Sequence, residues 1–112
     1  MIEQIDSDTF SAVDMRVGIV KEATYFNEAR KPAYKLLIDF GSLGLKHSSA
    51  QITALYRPDA LIHRKVIAVV NLKPKQIANY LSEVLVLGVH TGGGEVVLLE
   101  PERDVQPGLR IS

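Results

Sequence analysis

A short segment in the second half of the chain combines two cations with small polar side chains. Lys73 and Lys75 flank Pro74, Asn71 precedes them, and Ser82 follows after six further residues. Because the pyrrolidine ring restricts the backbone, Pro74 limits the conformations in which the two ammonium groups are displayed. Ammonium groups bind phosphate, and amide and hydroxyl groups hydrogen-bond bases, riboses or the local backbone. The segment therefore indicates a binding site for a phosphate-bearing ligand, and a capped loop with solvated lysines is the alternative.

Residue types that serve catalysis are present but are not arranged for it. The glycines at 92–94 are not followed by the Gly-Lys-Ser/Thr sequence of a nucleotide-binding loop. Ser48-Ser49 lacks the flanking glycines of a nucleophile elbow. The chain has no cysteine, and its three histidines lie far apart in sequence, so no zinc-ligand spacing occurs. We therefore expect a protein that is not an enzyme and that holds neither a metal ion nor a cofactor.

The composition is typical of one globular domain. With 112 residues, of which 46% are hydrophobic, the chain can bury a single core. Its apolar runs are much shorter than the ~18 residues that a membrane-spanning helix needs. Its first residues are acidic, whereas a secretory signal begins with basic ones. We therefore expect a cytoplasmic protein that does not insert into a membrane.

A formal net charge of zero conceals an uneven distribution of charge. Residues 1–14 contain four acids and no base, whereas residues 57–77 contain five bases and one acid. Residues 78–112 are again acidic. If the fold brings the two ends together, one side of the molecule is basic and can attract phosphate locally. Long-range attraction to nucleic acid is weak at zero net charge, so affinity must come from a shaped site.

The elements that must position these residues are short strands. Residues 34–40 alternate between apolar and polar, which predicts a half-buried strand with Tyr34 on its core side. Gly18 indicates a bend or a close backbone approach within an earlier strand. Strands are predicted at 15–26, 34–40, 46–51, 66–70, 83–89 and 95–99, a helical turn within 7–14, helical turns and loop within 52–61, and irregular chain at 71–77. Short strands at regular spacing predict an all-β protein, most simply a small barrel.

Several motifs together resemble one family. Asn71-Leu72-Lys73-Pro74-Lys75, with Ser82 and the strand to Gly88, resembles the tRNA-binding domain that occurs alone or appended to methionyl-, phenylalanyl- and tyrosyl-tRNA synthetases. The resemblance extends to 14–18, 28–30, 96–101 and Pro107-Gly108, and residues 38–41, 48–53 and 82–88 resemble its CsaA branch more specifically. It implies a five-stranded OB-fold Greek-key barrel at 15–112, including a C-terminal extension, with residues 1–14 as an N-terminal extension.

The resemblance also implies a function. CsaA-like proteins are homodimeric chaperones with export-related activity, and the wider family binds tRNA. The first hypothesis is therefore a non-catalytic CsaA-like chaperone whose partners are unfolded or precursor polypeptides and a second copy of itself. The alternative is a protein that binds tRNA or other structured RNA, in trans or beside a synthetase. A structural adaptor is a third possibility.

One part of the motif departs from the synthetase-appended domains. Those domains have Arg-Gly before the serine, where this chain has Ala78-Asn79, and Gly-Met after it, where this chain has Glu83-Val84. The arginine that would bind phosphate bidentately is missing. Asn79 is expected to adopt the left-handed conformation in place of the glycine. Glu83 would repel a phosphate nearby, so tRNA binding is expected to be weaker than in those domains.

The RNA hypothesis assigns six residues. Arg30, Lys31, Lys73 and Lys75 would contact phosphates, while Asn71 and Ser82 would hydrogen-bond a base edge or a ribose. Tyr34 and Tyr80 are the candidates for base stacking, although alternation places Tyr34 on the core side.

The polypeptide hypothesis assigns the apolar residues near the two acidic ends. These residues could form a dimer seam, a groove for an extended peptide, or caps on the barrel. They are Phe10, Val13, Met15, Leu109 and Ile111.

Overall fold

A computed structural model describes all 112 residues and contains ten strands, two short α-helices and one turn of 3₁₀ helix at Gly41–Leu43. The strands are β1 (Met15–Tyr25), β2 (Tyr34–Asp39), β3 (Leu45–Ala50), β4 (Lys65–Val69), β5 (Lys75–Ile77), β6 (Tyr80–Ser82), β7 (Leu85–Val86), β8 (Gly88–His90), β9 (Val96–Leu98) and β10 (Arg110–Ile111). The helices are α1 (Ser7–Ser11) and α2 (Pro58–Leu61), and neither is long enough to cross a bilayer.

Five of the strands form an antiparallel barrel in the order β3-β2-β1-β4-β7. The long strand β1 pairs with β4 along its first half and with β2 along its second half. A register shift between Val20 and Glu22 bends β1, so that this single strand belongs to two walls of the barrel. The barrel closes where the backbone N–H of Glu83 donates to the carbonyl of His47 on β3 at 2.8 Å. The predicted all-β class and the five-stranded barrel of the OB type are confirmed.

The alternating residues of β2 point into this barrel. Tyr34 is 2% exposed, and Ile38 and Phe40 are fully buried. Of the two alternatives predicted at Gly18, the structure shows the close approach: a methyl group there would lie 2.5 Å from the Cγ2 atom of the Ile38 side chain. The core consists of twelve residues from all around the barrel: Val20, Tyr34, Leu36, Ile38, Phe40, Ala50, Ile52, Leu61, Val66, Ala68, Val84 and Leu98.

The first and last segments of the chain meet beside β1. Strand β10 pairs with the beginning of β1. The Arg16 guanidinium donates to the Asp14 carboxylate at 2.6 Å and to the Gly108 carbonyl at 3.0 Å. Arg110 donates to the Ser11 carbonyl at 2.8 Å. The hydrogen bond from Arg16 holds the pKa of the Asp14 carboxyl below its usual range. The fold therefore brings together the two ends of the chain, as the charge hypothesis requires.

Two sequence-based assignments are wrong. Residues 71–77 are not irregular throughout, because Lys75–Ile77 forms β5 and pairs with β6. Pro74 precedes this strand, where it interrupts no ladder hydrogen bond. Residues 83–89 are not one strand, because the chain changes its pairing partner at Leu87. The backbone N–H of Leu87 donates to the carbonyl of Ile67 on β4, whereas the carbonyl of Leu87 accepts the backbone N–H of Leu99, which follows β9. The chain thus leaves the barrel and enters the separate β8–β9 hairpin.

Candidate nucleic-acid interface

A groove of about 590 Å³ opens between the end of β3 and the chain from Leu72 to Val86. Its lining is half apolar and half polar. Lys73, Lys75 and Ser82 all line it, so the structure brings together three of the six residues predicted to bind RNA. The other lining residues are Ser49, Ala50, Gln51, Ile52, Leu72, Ile77, Glu83, Val84, Leu85, Val86, Gly88, His90 and Val96.

The β5–β6 hairpin, which carries Lys75, is held against the barrel by Tyr80. The Tyr80 ring packs edge-on against two rings: its centroid lies 5.4 Å from that of Phe26 and 5.6 Å from that of His47. Its hydroxyl donates to the Leu36 carbonyl at 3.1 Å. Burial, followed by the negative charge of Glu83, raises the pKa of Tyr80 to about 12. The hydroxyl therefore remains a hydrogen-bond donor at neutral pH.

Ser82 connects the same hairpin to β3. It stands opposite Lys75 in the β5–β6 register. Its hydroxyl oxygen accepts the backbone N–H of Ser49 at 3.0 Å, whereas its contact with the Val84 carbonyl is long, at 3.5 Å. Within the protein, the hydroxyl hydrogen is therefore donated only across this long distance.

The turn between β5 and β6 corrects the expectation for Asn79. The residue with the left-handed backbone is Ala78, at φ 51°, and Asn79 is not among the residues with positive φ. The Gln76 side chain donates to the Ala78 carbonyl at 2.9 Å and supports this conformation. Only two residues other than glycine have positive φ in this chain, and the other is His63.

Asn71 is engaged within the protein. Its side-chain carbonyl accepts the backbone N–H of Asp14 at 2.9 Å, and its amide group donates to the carbonyl of Ala12 at 2.7 Å. It does not line the groove. The side chain therefore ties the N-terminal segment to the end of β4, and its contact with RNA stays a prediction.

Arg30 and Lys31 lie in the exposed loop between β1 and β2. Neither lines the groove. Their contact with phosphate also stays a prediction.

The four cations predicted to contact phosphate, Arg30, Lys31, Lys73 and Lys75, differ from most other cations of the chain in forming no ion pair. Of the 13 lysines and arginines, seven form ion pairs: Arg16, Lys35, Arg57, Arg64, Lys65, Arg103 and Arg110. None of the four cations predicted to contact phosphate is among them. Within the groove, Glu83 is the one acidic side chain, and its carboxylate accepts the N–H of His47 at 2.9 Å. Lys73 and Lys75 therefore keep their charge available at the wall of the groove.

The two tyrosines considered for base stacking have other roles. Tyr34 faces the core, as alternation predicts, and its hydroxyl donates to the Tyr56 carbonyl at 2.6 Å. Tyr80 is half-buried, and the Lys35 ammonium lies 5.5 Å from its ring centroid. The Tyr34 ring is therefore closed to a base, whereas stacking of a base on the half-buried Tyr80 stays a prediction.

The apolar residues near the chain ends lie away from the groove. Phe10, Val13 and Leu109 are exposed, and none of them belongs to the buried core of the barrel. Met15 and Ile111 are half-buried and stand opposite each other in the β1–β10 pair. Their role in a dimer or in peptide binding stays a prediction.

Residues 15–110 match the family model described as "Putative tRNA binding domain". The chain belongs to this tRNA-binding domain family. The chaperone CsaA of Bacillus anthracis is 48% identical, with a TM-score of 0.94 over 98% of this chain and 100% of that one. The CsaA chaperone protein of Picrophilus torridus is 56% identical, with a TM-score of 0.92 over 97% of this chain and 100% of that one. The resemblance recognised in the sequence is confirmed.

A methionine–tRNA ligase from Bdellovibrio bacteriovorus is also related to this tRNA-binding domain. It is 37% identical over 108 residues, which are 96% of this chain and 16% of the ligase. The chain thus spans about a sixth of the length of this relative.

Sequence reasoning missed most of the groove. Ile52 follows β3, Ile77 ends β5, and Val96 begins β9, yet all three meet at its apolar lining. No local pattern marks them, because the groove joins segments that are far apart along the chain. The one signal in the sequence is the spacing of Lys73 and Lys75 around Pro74.

Proposed function

We propose that this chain is a non-catalytic, CsaA-like binding protein that holds tRNA, or another structured RNA, in the groove beside Lys73 and Lys75. One observation carries the proposal: both lysines and Ser82 line the same groove, and neither lysine has an acidic partner. Membership of the tRNA-binding domain family supports it. A cytoplasmic location is expected for a protein with this ligand.

The groove offers each part of a nucleotide a complementary surface. Phosphate oxygens pair with the two ammonium groups, and the Ser82 hydroxyl donates to a base edge or a ribose. The apolar lining packs against a sugar or a base face. Because the two lysines contact phosphates, and phosphate contacts fix position without reporting sequence, recognition depends mainly on the shape of the folded RNA.

The test is the salt dependence of tRNA binding. In the Lys73→Ala/Lys75→Ala double variant, we expect a lower affinity for unfractionated tRNA. The negative slope of log K against log[salt] should become shallower by about 1.4 to 1.8, because each of the two lost phosphate contacts contributes ~0.7–0.9 to its magnitude. The matched control is Lys21→Ala/Lys46→Ala, which removes the same charge from two lysines that also form no ion pair but lie outside the groove. Equal losses in both double variants would contradict the groove as the binding site.

A second candidate function is chaperone activity. Leu72 and Leu85 line the groove and are 50% and 49% exposed, which offers apolar side chains of an unfolded polypeptide a surface. The two CsaA chaperones among the relatives support this candidate. We expect Leu72→Ser/Leu85→Ser to weaken suppression of aggregation of a chemically denatured enzyme at high salt, whereas Lys73→Ala/Lys75→Ala leaves it unchanged. Suppression that disappears at high salt would contradict this candidate. An export-related role would follow only for precursor clients.

The exposed apolar residues near the chain ends support a homodimer. Phe10, Val13 and Leu109 are 43%, 38% and 52% exposed, and Ile2 and Ile5 are exposed nearby in the sequence. An isologous seam over these residues would place two grooves on one assembly and increase RNA affinity by avidity. Light scattering should report twice the monomer mass for the protein and the monomer mass for Leu109→Asp. A protein that stays monomeric at all concentrations would exclude the seam.

A structural adaptor is the remaining alternative. It would follow if the protein bound neither RNA nor unfolded polypeptide.

A further inference from the structure

Exposed aromatic rings are rare in this chain. It contains four tyrosines, three phenylalanines and no tryptophan. Tyr25 is 61% exposed and Phe10 is 43% exposed, whereas every other aromatic side chain is buried or half-buried. Phe10 lies in the N-terminal segment with other exposed apolar residues. Tyr25 stands at the opposite end of β1, apart from them.

The Tyr25 ring has a fixed orientation. It makes an edge-to-face contact with Tyr34, with ring centroids 5.1 Å apart and planes at 64°. Tyr34 is 2% exposed and is anchored by its hydrogen bond of 2.6 Å to the Tyr56 carbonyl. A flat, exposed ring held by a buried neighbour is a pre-oriented platform, because little side-chain entropy remains to be lost on binding.

Strand register places this platform near the groove. Tyr25 stands opposite Tyr34 across β1 and β2, and Tyr34 stands opposite Ala50 across β2 and β3. Ala50 lines the groove. Neighbouring strands lie ~4.8 Å apart, so the backbone of Tyr25 is about 10 Å from the wall of the groove, and directly opposite residues share one side of a sheet.

The surroundings of the platform are basic. The loop that connects Tyr25 to β2 carries Arg30 and Lys31, neither of which forms an ion pair. The loop's acid, Glu28, pairs with the ammonium of Lys35 at 4.0 Å. The two free cations can thus receive the phosphate that precedes or follows a base placed on the tyrosine.

We propose that Tyr25 is a base-stacking platform: an unpaired base of the same RNA that occupies the groove stacks on its ring, while Arg30 and Lys31 contact the adjoining phosphates. This inference rests on the proposed function. It adds a contact that selects RNA with an unpaired nucleotide close to the segment held by Lys73 and Lys75. Every base has a flat face, so the platform selects single-stranded character and not sequence.

The absence of tryptophan allows a direct test. Tyr25→Trp introduces a single tryptophan, and Leu43→Trp introduces one as a control at an exposed position in the turn between β2 and β3, at the opposite end of β2 from Tyr34. Titration with unfractionated tRNA should quench the fluorescence of Tyr25→Trp in a saturable manner and leave Leu43→Trp unchanged. A fully base-paired, blunt RNA duplex should quench neither variant.

Affinity measurements complete the test. Tyr25→Ala should weaken tRNA binding about 5- to 150-fold, the range for loss of one stacked base, and Tyr25→Phe should restore it. The salt slope should not change, because no charge is removed. If tRNA binds the unchanged protein but Tyr25→Trp is not quenched and Tyr25→Ala binds normally, the platform is refuted and the groove remains. If the unchanged protein binds no tRNA, both proposals are refuted.

Discussion

The hydroxyl of Tyr80 offers a quantitative test of how the lysine-bearing hairpin is held. Tyr80→Phe keeps the ring and its packing but removes the hydrogen bond to the Leu36 carbonyl at 3.1 Å and the contact with the Nδ1 atom of His47 at 3.2 Å. The net contribution of one such hydrogen bond is ~0.5–1.5 kcal/mol, and a shielded carbonyl left without a partner adds to the loss. We expect the free energy of unfolding at pH 8 to fall by about 1–2 kcal/mol.

The same variant should change the response to alkaline pH. The pKa of Tyr80 is raised to about 12 in the folded protein, from an ordinary value of about 10. The folded state therefore holds the proton more tightly, so this stabilisation is fully present below pH 10 and is lost as the pH rises through 12. Two pKa units correspond to ~2.7 kcal/mol, which solvent screening of a half-buried group reduces to about 1 kcal/mol.

Urea unfolding followed by circular dichroism, at pH 8 and pH 11, measures both effects. The stability of the unchanged protein should fall more steeply over this range than that of Tyr80→Phe. Because pH 11 lies midway between the two pKa values, the gap between the proteins should narrow by about half of this total, roughly 0.5 kcal/mol. Tyr34, whose pKa burial also raises, is present in both proteins and cancels. A gap that is absent at pH 8, or that stays constant to pH 11, would refute the role assigned to this hydroxyl.

Two further substitutions test local features. Asn71→Ala removes both hydrogen bonds to the N-terminal segment, so it should lower the free energy of unfolding by about 1–2 kcal/mol. It should also accelerate amide hydrogen exchange at Asp14, and an unchanged exchange rate would contradict the role of these hydrogen bonds. Ala78→Gly relieves left-handed strain of ~1–2 kcal/mol at the cost of ~0.5–1 kcal/mol in backbone entropy, so the melting temperature should rise slightly. A lower melting temperature would contradict the strain at Ala78.

Local patterns predicted the barrel because each of its long strands has its own signal. Alternation from Tyr34 to Phe40 gave both the strand and its buried side, and Gly18 marked the close approach to Ile38. The sequence does not predict the β5–β6 hairpin, because Pro74 indicates irregular chain, although a proline before a strand removes no ladder hydrogen bond. The left-handed turn residue is predicted one position too late. Asparagine favours the left-handed conformation, which points to Asn79, but in the hairpin that pairs Ile77 with Tyr80 it is Ala78 that adopts this conformation.

Contacts between distant segments could not be predicted in this way. The hydrogen bonds of Asn71 reach residues 57 and 59 positions away, and no pattern within either segment announces them. The groove is of the same kind, because its lining joins the end of β3 to β5, β7 and β9. The sequence predicts the two lysines because they flank one proline within a single short segment. It does not predict the apolar wall that gives the site its shape, because that wall is assembled from distant segments.

The pairing of charges explains how a protein of zero net charge can bind a polyanion. Pairing is selective: Asp14, at the acidic beginning of the chain, pairs with Arg16 and Arg110, while Lys73 and Lys75 have no acidic partner. Exposed ion pairs contribute little to stability, so their larger effect is to remove charge from one region of the surface and leave it in another. At physiological ionic strength a charge acts over ~8 Å, which means that a ligand at the groove responds to these two lysines and not to the molecular total. Affinity should therefore follow the local charge, and variants with equal net charge should bind RNA unequally.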